Sequence, residues 1–571
     1  MTANGGSAPA TDETGTSRKT WLLVAAAIVF LTLLGFFTFP GRTFLQSDTQ
    51  IYMPILEHFW DQSVFGRELL AKDPHVSFTI YDETAIALRR VTGLDFHGVL
   101  LAQQLVFRAL GLLGIYLIAT SLGLRLRSAL LVTAVFSLGA TILGPAVLTI
   151  EYEPVPRGFA VPLLILAIGL VAHGRDLAAG MAAALAFLYH PPSVLPFWAV
   201  YFALTLWPAK PAIMSRRILG LAPMLAGVVA LLVMSRAQHG VTETQDFFSR
   251  IGPELERVQR LRASYNWVSL WPSYWFTNYA FLWMVSLAAY WRVRKSVVQD
   301  LKFFLLGLPV FGLLMIPLSY LLLERMKWIV IPQVQPARAV LFVVVTAMIL
   351  AAVAAIRAAA ERRWWESVLW MLPVYAVPVN TRVLEVLIPD LSQPLIRTRF
   401  AIVVGLALLT TAAAWTVESR RRWALAPWAA AILVPVLIIP TWGRMRNYAT
   451  LDNPELRRLS TWGRTSTDKD AMFFFPDASH DLSPGVFRAT SLRALYVDWK
   501  AGGQANFLKA FAHEWWSRWE KSGAEKFVGA DMQSYRALGI DYIVLKSAHR
   551  IPTLKPAFEN ARFVVYAVPA T

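Results

Sequence analysis

Asp48 stands in the stretch Leu45-Gln-Ser-Asp-Thr-Gln-Ile-Tyr52, just past the first long apolar run. A carboxylate where lipid meets water can act as general base on an acceptor hydroxyl, or hold a divalent cation such as Mg or Mn. Ser47 or Asp48 can equally cap the helix that follows, and one Asp can do both. A second acidic site is Glu151-Tyr-Glu-Pro-Val-Pro-Arg157. Pro154 and Pro156 hold this loop extended. Carboxylates at the edge of hydrocarbon are costly unless solvated or paired. The loop therefore reads in two ways. Glu151 and Glu153 either join Asp48 in binding an acceptor or a metal, or they are solvated, with Glu153 paired to Arg157. His190, in Tyr189-His-Pro-Pro192, falls on the same side. A lone interfacial His is more often structural than catalytic, and both readings stay open.

Arginines supply the complementary charge. Short external loops of membrane proteins are depleted of Arg and Lys. Yet Arg325, Lys327 and Arg338 share one such loop, and Arg382, Arg397 and Arg399 another. The planar guanidinium suits bidentate phosphate binding. The alternative is contact with anionic headgroups or loop acids. Gln335-Pro-Ala-Arg338, at the mouth of an apolar run, is the best phosphate contact. Other chemistries are excluded. There is no P-loop signature and no His-Glu-x-x-His motif. With no cysteine, disulfides, thiolate metal sites and catalytic thiols are impossible.

The elements that must position these residues are membrane spans. Hydrophobic residues make up 56% of the chain and charged ones 16%, with the apolar excess in long uncharged runs. About 13 such runs follow one another between residues 20 and 441, the third at about 129–149. The formal charge of +17 does not point to nucleic acid, because the Lys and Arg cluster between apolar runs. With the N-terminus inside, the basic clusters after even-numbered runs fall in the cytoplasm. The loops at 39–98 and 236–270, and the acidic residues, then fall outside. Within the first loop, Tyr52, Ile55, Leu56, Phe59 and Trp60 share one helical face, which predicts a helix lying in the membrane interface. Residues 1–19 read as a disordered cytoplasmic tail. Residues 442–571 alternate short strands with helices and read as a small extracytoplasmic α/β domain.

An acidic residue in the first external loop, interfacial helices there, a second acidic loop after the third span and an external C-terminal domain together resemble GT-C membrane glycosyltransferases. The resemblance covers about residues 20–440. This chain has a single Asp in the first loop and Glu-Tyr-Glu at the second site, where many members carry Asp-containing pairs. Glu-Pro-x-Pro-Arg and Tyr496-Val-Asp-Trp-Lys500 are also similar to stretches in uncharacterised bacterial membrane proteins. The resemblance implies a polyprenyl-phosphate-linked sugar donor and a glycan, lipid or protein acceptor, at the outer face of a bacterial inner membrane. Asp48 would be the base. Glu151 and Glu153 would orient the acceptor or hold a cation, while Arg338, with Arg397 or Arg399, would stabilise the departing phosphate. Two other readings stay open: a scaffold that binds a lipid-linked sugar without catalysis, and a lipid or polysaccharide transporter. The transporter predicts a polar path through the spans, and the apolar runs carry almost no ionisable residues.

Overall fold

The computed structural model describes residues 18–72, 79–145, 147–237 and 249–569. The tail reading for residues 1–17, and the parts of the two long loops at 73–78 and 238–248, lie outside the described residues.

Each of the thirteen apolar runs contains a helix. Among the described residues six helices are long and apolar enough to cross a bilayer, and five shorter apolar ones accompany them. The chain is an integral membrane protein with an α-helical polytopic bundle. Leu341–Ala360 lies at its centre, the whole of its apolar stretch covered by protein. Its only polar side chains are Thr346 and Arg357. Small residues allow close packing elsewhere. A Cβ at Gly114, in helix Phe96–Ser121, would meet the backbone of Ile165 and Leu166 in helix Pro156–Ala172 at 2.5–2.6 Å.

Contacts sort the helix ends into two groups. Arg357 bonds the carbonyls of Leu122 and Val293, Arg292 pairs with Glu361 and Glu366, and Arg216 pairs with Asp176 and Asp300. At the other end Thr43 bonds Tyr152, Leu143 bonds Thr381, and Arg399 bonds Gly443. Every candidate site residue belongs to this second end.

The third run departs from expectation. Its helix, Leu126–Ser137, stops early, and β1 (Thr141–Ile142) pairs antiparallel with β2 (Val147–Leu148). Gly139 and Gly144 take positive φ, and Pro145 follows, so an unbroken helix to 149 is precluded. Gly144 is also pressed against the Tyr279 ring, where no Cβ fits.

Residues beyond the last span form a five-stranded sheet of order β4-β3-β5-β7-β6. The strands are β3 (Met472–Phe474), β4 (Ala494–Leu495), β5 (Tyr542–Lys546), β6 (Phe558–Glu559) and β7 (Phe563–Ala567). β3 runs parallel to β4 and β5, and β7 runs antiparallel to β5 and β6. Helices Pro454–Ser466, Ser483–Ser491 and Lys509–Lys521 pack around it.

The helix after Asp48, Thr49–Trp60, turns much of its apolar face to protein, with Trp60 at its end exposed. Ile51, Ile55 and Leu56 are buried. Ile51 and Ile55 join the core of the C-terminal domain, and the helix packs on Ser483–Ser491. Protein, which can also bond Gln50, covers this face: the Arg488 guanidinium donates to the Gln50 carbonyl at 3.0 Å.

Candidate active site

Asp48 occupies the N-cap position of helix Thr49–Trp60, yet its side chain makes no capping hydrogen bond. Glu153 serves that end of the helix instead. One of its carboxylate oxygens accepts the backbone N–H groups of Gln46 and Ser47, both at 2.7 Å, and the other accepts that of Thr49 at 2.9 Å. A carboxylate at a helix N-terminus is favourably placed. Glu153 is 3% exposed, and burial pushes its carboxyl up despite the amide bonds from Thr49 and Ser47. The Glu153–Arg157 pair considered from sequence is not formed, and both Glu153 oxygens accept backbone N–H groups. Glu153 sets the backbone that carries Asp48.

The Asp48 carboxylate is thereby left to the cavity. Its Oδ1 lies 2.6 Å from Lys500 Nζ, and its Oδ2 4.0 Å from an Nη of Arg157. Burial alone would raise its carboxyl. Lys500 and Arg157, with Arg338 beyond them, more than offset this and hold it well below the usual range. Asp48 is ionised and, while so paired, a weak base.

Arg157 is fixed by Glu151, whose Oε2 accepts from Nε at 2.8 Å and lies 2.6 Å from an Nη. The loop beneath is pinned from the bundle. Arg108 donates to the Glu151 carbonyl at 2.8 Å and Gln104 to the Tyr152 carbonyl at 2.8 Å. These two buried polar side chains thereby satisfy carbonyls of the loop.

Arg338 has a different character. It sits in the short 3-10 turn Pro336–Val340, half-buried, donating to the Tyr265 hydroxyl at 3.4 Å with its guanidinium 5.3 Å from the Tyr265 ring centre. No carboxylate pairs with it among the described residues, and its Nε is buried without a partner. Arg262 is similar. Its guanidinium stacks over Trp499 at 3.8 Å, with its Nε also unpartnered, and burial pushes it down to about 10. Unpartnered guanidinium groups in a cavity suit an anionic ligand.

These groups line one cavity of about 560 Å³. Asp48, Glu151, Glu153, Arg157, His190 and Arg338, distant in sequence, all reach it. An apolar groove of about 220 Å³ adjoins it, walled by Leu195, Phe311, Met315 and Leu318. Arg157, His190, Gln335 and Arg338 line both spaces and mark where they meet. His190 lies between helices Asp176–Tyr189 and Pro191–Leu206, with Nδ1 2.8 Å from the Ser193 hydroxyl. Burial, helped by Arg157 and Arg338, pushes its imidazole down to about 3, so it is neutral.

Arg397 and Arg399 are not part of this site. Arg397 is exposed on the first turn of helix Pro394–Glu418. Arg399 donates to the Gly443 carbonyl at 2.9 Å and to Asn380 at 3.3 Å, securing the turn after the last span. Nor does the acidic set fit a resident cation. Asp48 and Glu151 carry cationic partners, and the Glu153 oxygens are taken by amides. Among the described residues no three His, Cys, Asp or Glu side chains come together as a metal site.

Residues the sequence did not single out complete the cavity: Tyr52, Arg262, Tyr265 and Lys500. Lys500 closes the Tyr-Val-Asp-Trp-Lys stretch, which was its one signal. Arg488, Arg493 and Asp498 are structural. Arg488 lies 2.5 Å from Asp498 and 3.5 Å from Glu68, all buried. Arg493 bonds Thr467 and the Arg464 carbonyl.

No family model matches the chain, and no curated protein matches it. Among solved structures it is similar to ArnT from Cupriavidus metallidurans in the apo state, at 14% identity over 97% of this chain and 99% of that one, TM-score 0.48. It is similar also to the arabinofuranosyltransferase AftD from Mycobacteria, at 13% identity over 98% of this chain and 40% of that one, TM-score 0.45. The Archaeoglobus fulgidus oligosaccharyltransferase, in complex with Zn and sulfate, is more distant, at 13% identity over 92% and 68%, TM-score 0.35.

Proposed function

We propose that the chain transfers a sugar from a polyprenyl-phosphate donor to an acceptor hydroxyl at the outer face of a bacterial inner membrane. One observation carries this reading: a cavity holding an ionised carboxylate opens, past an unpaired arginine, into an apolar groove. An amphipathic anion fits that division. The prenyl chain would enter the groove, the phosphate would meet Arg338 and Arg157 beside His190, and the sugar would extend toward Asp48.

The transfer is then a single displacement. Asp48 takes the proton of the acceptor hydroxyl. The acceptor oxygen bonds to the anomeric carbon as that carbon's bond to the phosphate oxygen breaks, and the electron pair leaves on the phosphate. The configuration inverts. The leaving phosphate gains a negative charge, and fixed guanidinium groups help most where charge develops. Arg157, clamped by Glu151, and Arg338, free of carboxylates, are suited to this. The sequence resemblance to GT-C enzymes points the same way. The N-terminus would be cytoplasmic and the C-terminal domain external, so the basic helix ends meet the cytoplasm.

The non-catalytic binder is the second reading, favoured by the Lys500 and Arg157 partners that weaken Asp48 as a base. A panel of polyprenyl-phosphate sugars in nanodiscs separates the two. The transferase reading expects loss of sugar from one donor, slowed by about 10²–10⁴-fold in Asp48→Asn, with polyprenyl-phosphate binding retained. Binding without turnover across the panel, unchanged in Asp48→Asn, establishes the binder.

A further inference from the structure

We infer that Lys500 is a movable counter-ion, which holds Asp48 in the empty site and passes to the donor's phosphate when the lipid binds. It is thereby a second, C-terminal-domain ligand for the phosphate, and its departure readies Asp48 as a base. This rests on the transferase reading for its chemistry, though its binding test does not.

The two cations beside Asp48 are held differently. Arg157 is tied to Glu151 through both Nε and an Nη, so it cannot leave without stranding a half-buried carboxylate. Among the described residues Lys500 Nζ bonds only Asp48, at 2.6 Å, and the Ser47 hydroxyl, at 3.0 Å. Its backbone, by contrast, is anchored. Lys500 N–H donates to Asp498 at 3.1 Å, and Asp498 is locked to the buried Arg488. Arg488 in turn grips the Gln50 carbonyl, two residues from Asp48. The root of the lysine is therefore fixed relative to the Asp48 helix. Only its four-carbon stem has to move, and an ammonium on such a stem re-pairs readily.

The destination is in the same cavity. Lys500 and Arg338 both line it, and both act on the charge of Asp48. A sugar phosphodiester carries one negative charge and becomes a monoester with close to two as its bond breaks. The competition thus tilts further toward the phosphate as transfer proceeds. The groups facing Asp48 are Lys500, Arg157 and Arg338, with Tyr52 and Glu153 also within its field. Of these, only the lysine is free of other strong partners and close enough to mask the carboxylate directly. Once it leaves, less positive charge opposes proton uptake, and Asp48 becomes a stronger base.

The test is binding of polyprenyl phosphate, with neutral polyprenol as control, to the full chain in nanodiscs. It compares wild type, Lys500→Met, Lys500→Arg and Asp48→Asn at two pH values, about 7.5 and about 5.5. The lysine trades Asp48 for the phosphate, so Lys500→Met loses its net preference for the phosphate, expected as about tenfold weaker binding, with Lys500→Arg largely restored and polyprenol unaffected. Binding should also be linked to proton uptake by Asp48. Relative to Asp48→Asn, in which the phosphate's own titration persists, wild type should gain affinity at the lower pH. Lys500→Met should gain less, because its Asp48 is already unmasked. Equal affinity in Lys500→Met and wild type would overturn the inference, as the lysine would then have no preference for the phosphate over Asp48. So would equal weakening in Lys500→Met and Lys500→Arg with a lowered melting temperature, which marks a structural role. So would matching pH dependence in wild type and Asp48→Asn, which marks a pair that never opens. Turnover is not read in this test, so a failure of the transferase reading shows separately, in the donor panel.

Discussion

Glu153→Gln is the sharpest probe of how Asp48 is placed. The substitution preserves shape and replaces one carboxylate oxygen by an NH2 group. Glu153 accepts from Gln46 and Ser47 with one oxygen and from Thr49 with the other. A glutamine can serve one side only, and its NH2 must then face an N–H. Loss of a charged acceptor costs about 1.5–3 kcal/mol, and the stranded buried donor adds to that. A total near 3 kcal/mol corresponds to roughly 100-fold easier local opening. Hydrogen–deuterium exchange of a peptide spanning residues 44–52, in nanodiscs, reads this directly. Amides there should exchange about 100-fold faster in Glu153→Gln, while the β5–β7 core of the C-terminal domain keeps its protection. If the transferase reading holds, turnover should fall about 10²-fold through misplacement of Asp48, with polyprenyl-phosphate binding retained. Unchanged exchange at 44–52 would refute the idea that Glu153 positions the carboxylate. So would acceleration spread equally over the whole domain.

Four further outcomes are expected. Arg338→Ala should weaken polyprenyl-phosphate binding by about tenfold or more, and Arg338→Lys should recover only part of it, since the forked contact is lost; direct binding checks both. Leu318→Trp fills the apolar groove and should weaken long-chain polyprenyl phosphate far more than a short-chain analogue, read by competition between the two. Arg488→Met strands Asp498 and Glu68 as buried charges, which costs about 3–5 kcal/mol and should lower the melting temperature of the C-terminal domain sharply. The His190 imidazole, pushed down to about 3 from an ordinary 6.5, stays neutral in the fold while the unfolded chain takes up a proton. Stability should therefore fall as pH drops from 6.5 toward 3, by about 2 kcal/mol at pH 5, and His190→Asn should flatten that difference between melting curves at the two ends of the window.

The apolar runs were legible because a span must satisfy its own backbone, leaving a long uncharged signature that no tertiary context rewrites. The third run misled for a local reason, visible in retrospect as Gly139, Gly144 and Pro145. The candidate site was legible in part. Asp48, Glu151, Arg157, His190 and Arg338 stand out because a charged or titratable group beside hydrocarbon is conspicuous, and parity put them on one side. Their roles were less legible. Glu153 and Glu151 look alike in sequence, yet one serves backbone amides and the other clamps Arg157. Arg399 and Arg338 look alike too, yet one is spent on carbonyls and the other is unpaired. Lys500 and Arg262 are ordinary surface-type residues by local pattern. They become site residues only through tertiary contact, Lys500 with an Asp 452 positions away.

That long-range contact bears on what the C-terminal domain is for. Helix Thr49–Trp60 buries Ile51 and Ile55 in that domain's core and takes Arg488 on its Gln50 carbonyl. The same domain supplies Lys500, Trp499 and Gln504 to the cavity wall. The membrane bundle alone would leave Ile51 and Ile55 uncovered, with Glu153 and the Tyr52–Tyr81 ring contact to brace the first turn. Truncation before residue 442 is therefore expected to loosen Asp48 as well as to remove Lys500. Exchange at residues 44–52 should rise in the truncated bundle as it does in Glu153→Gln. Retained protection there would mean that the loop is ordered by the bundle alone, and that the domain contributes only its lysine and the cover over the cavity.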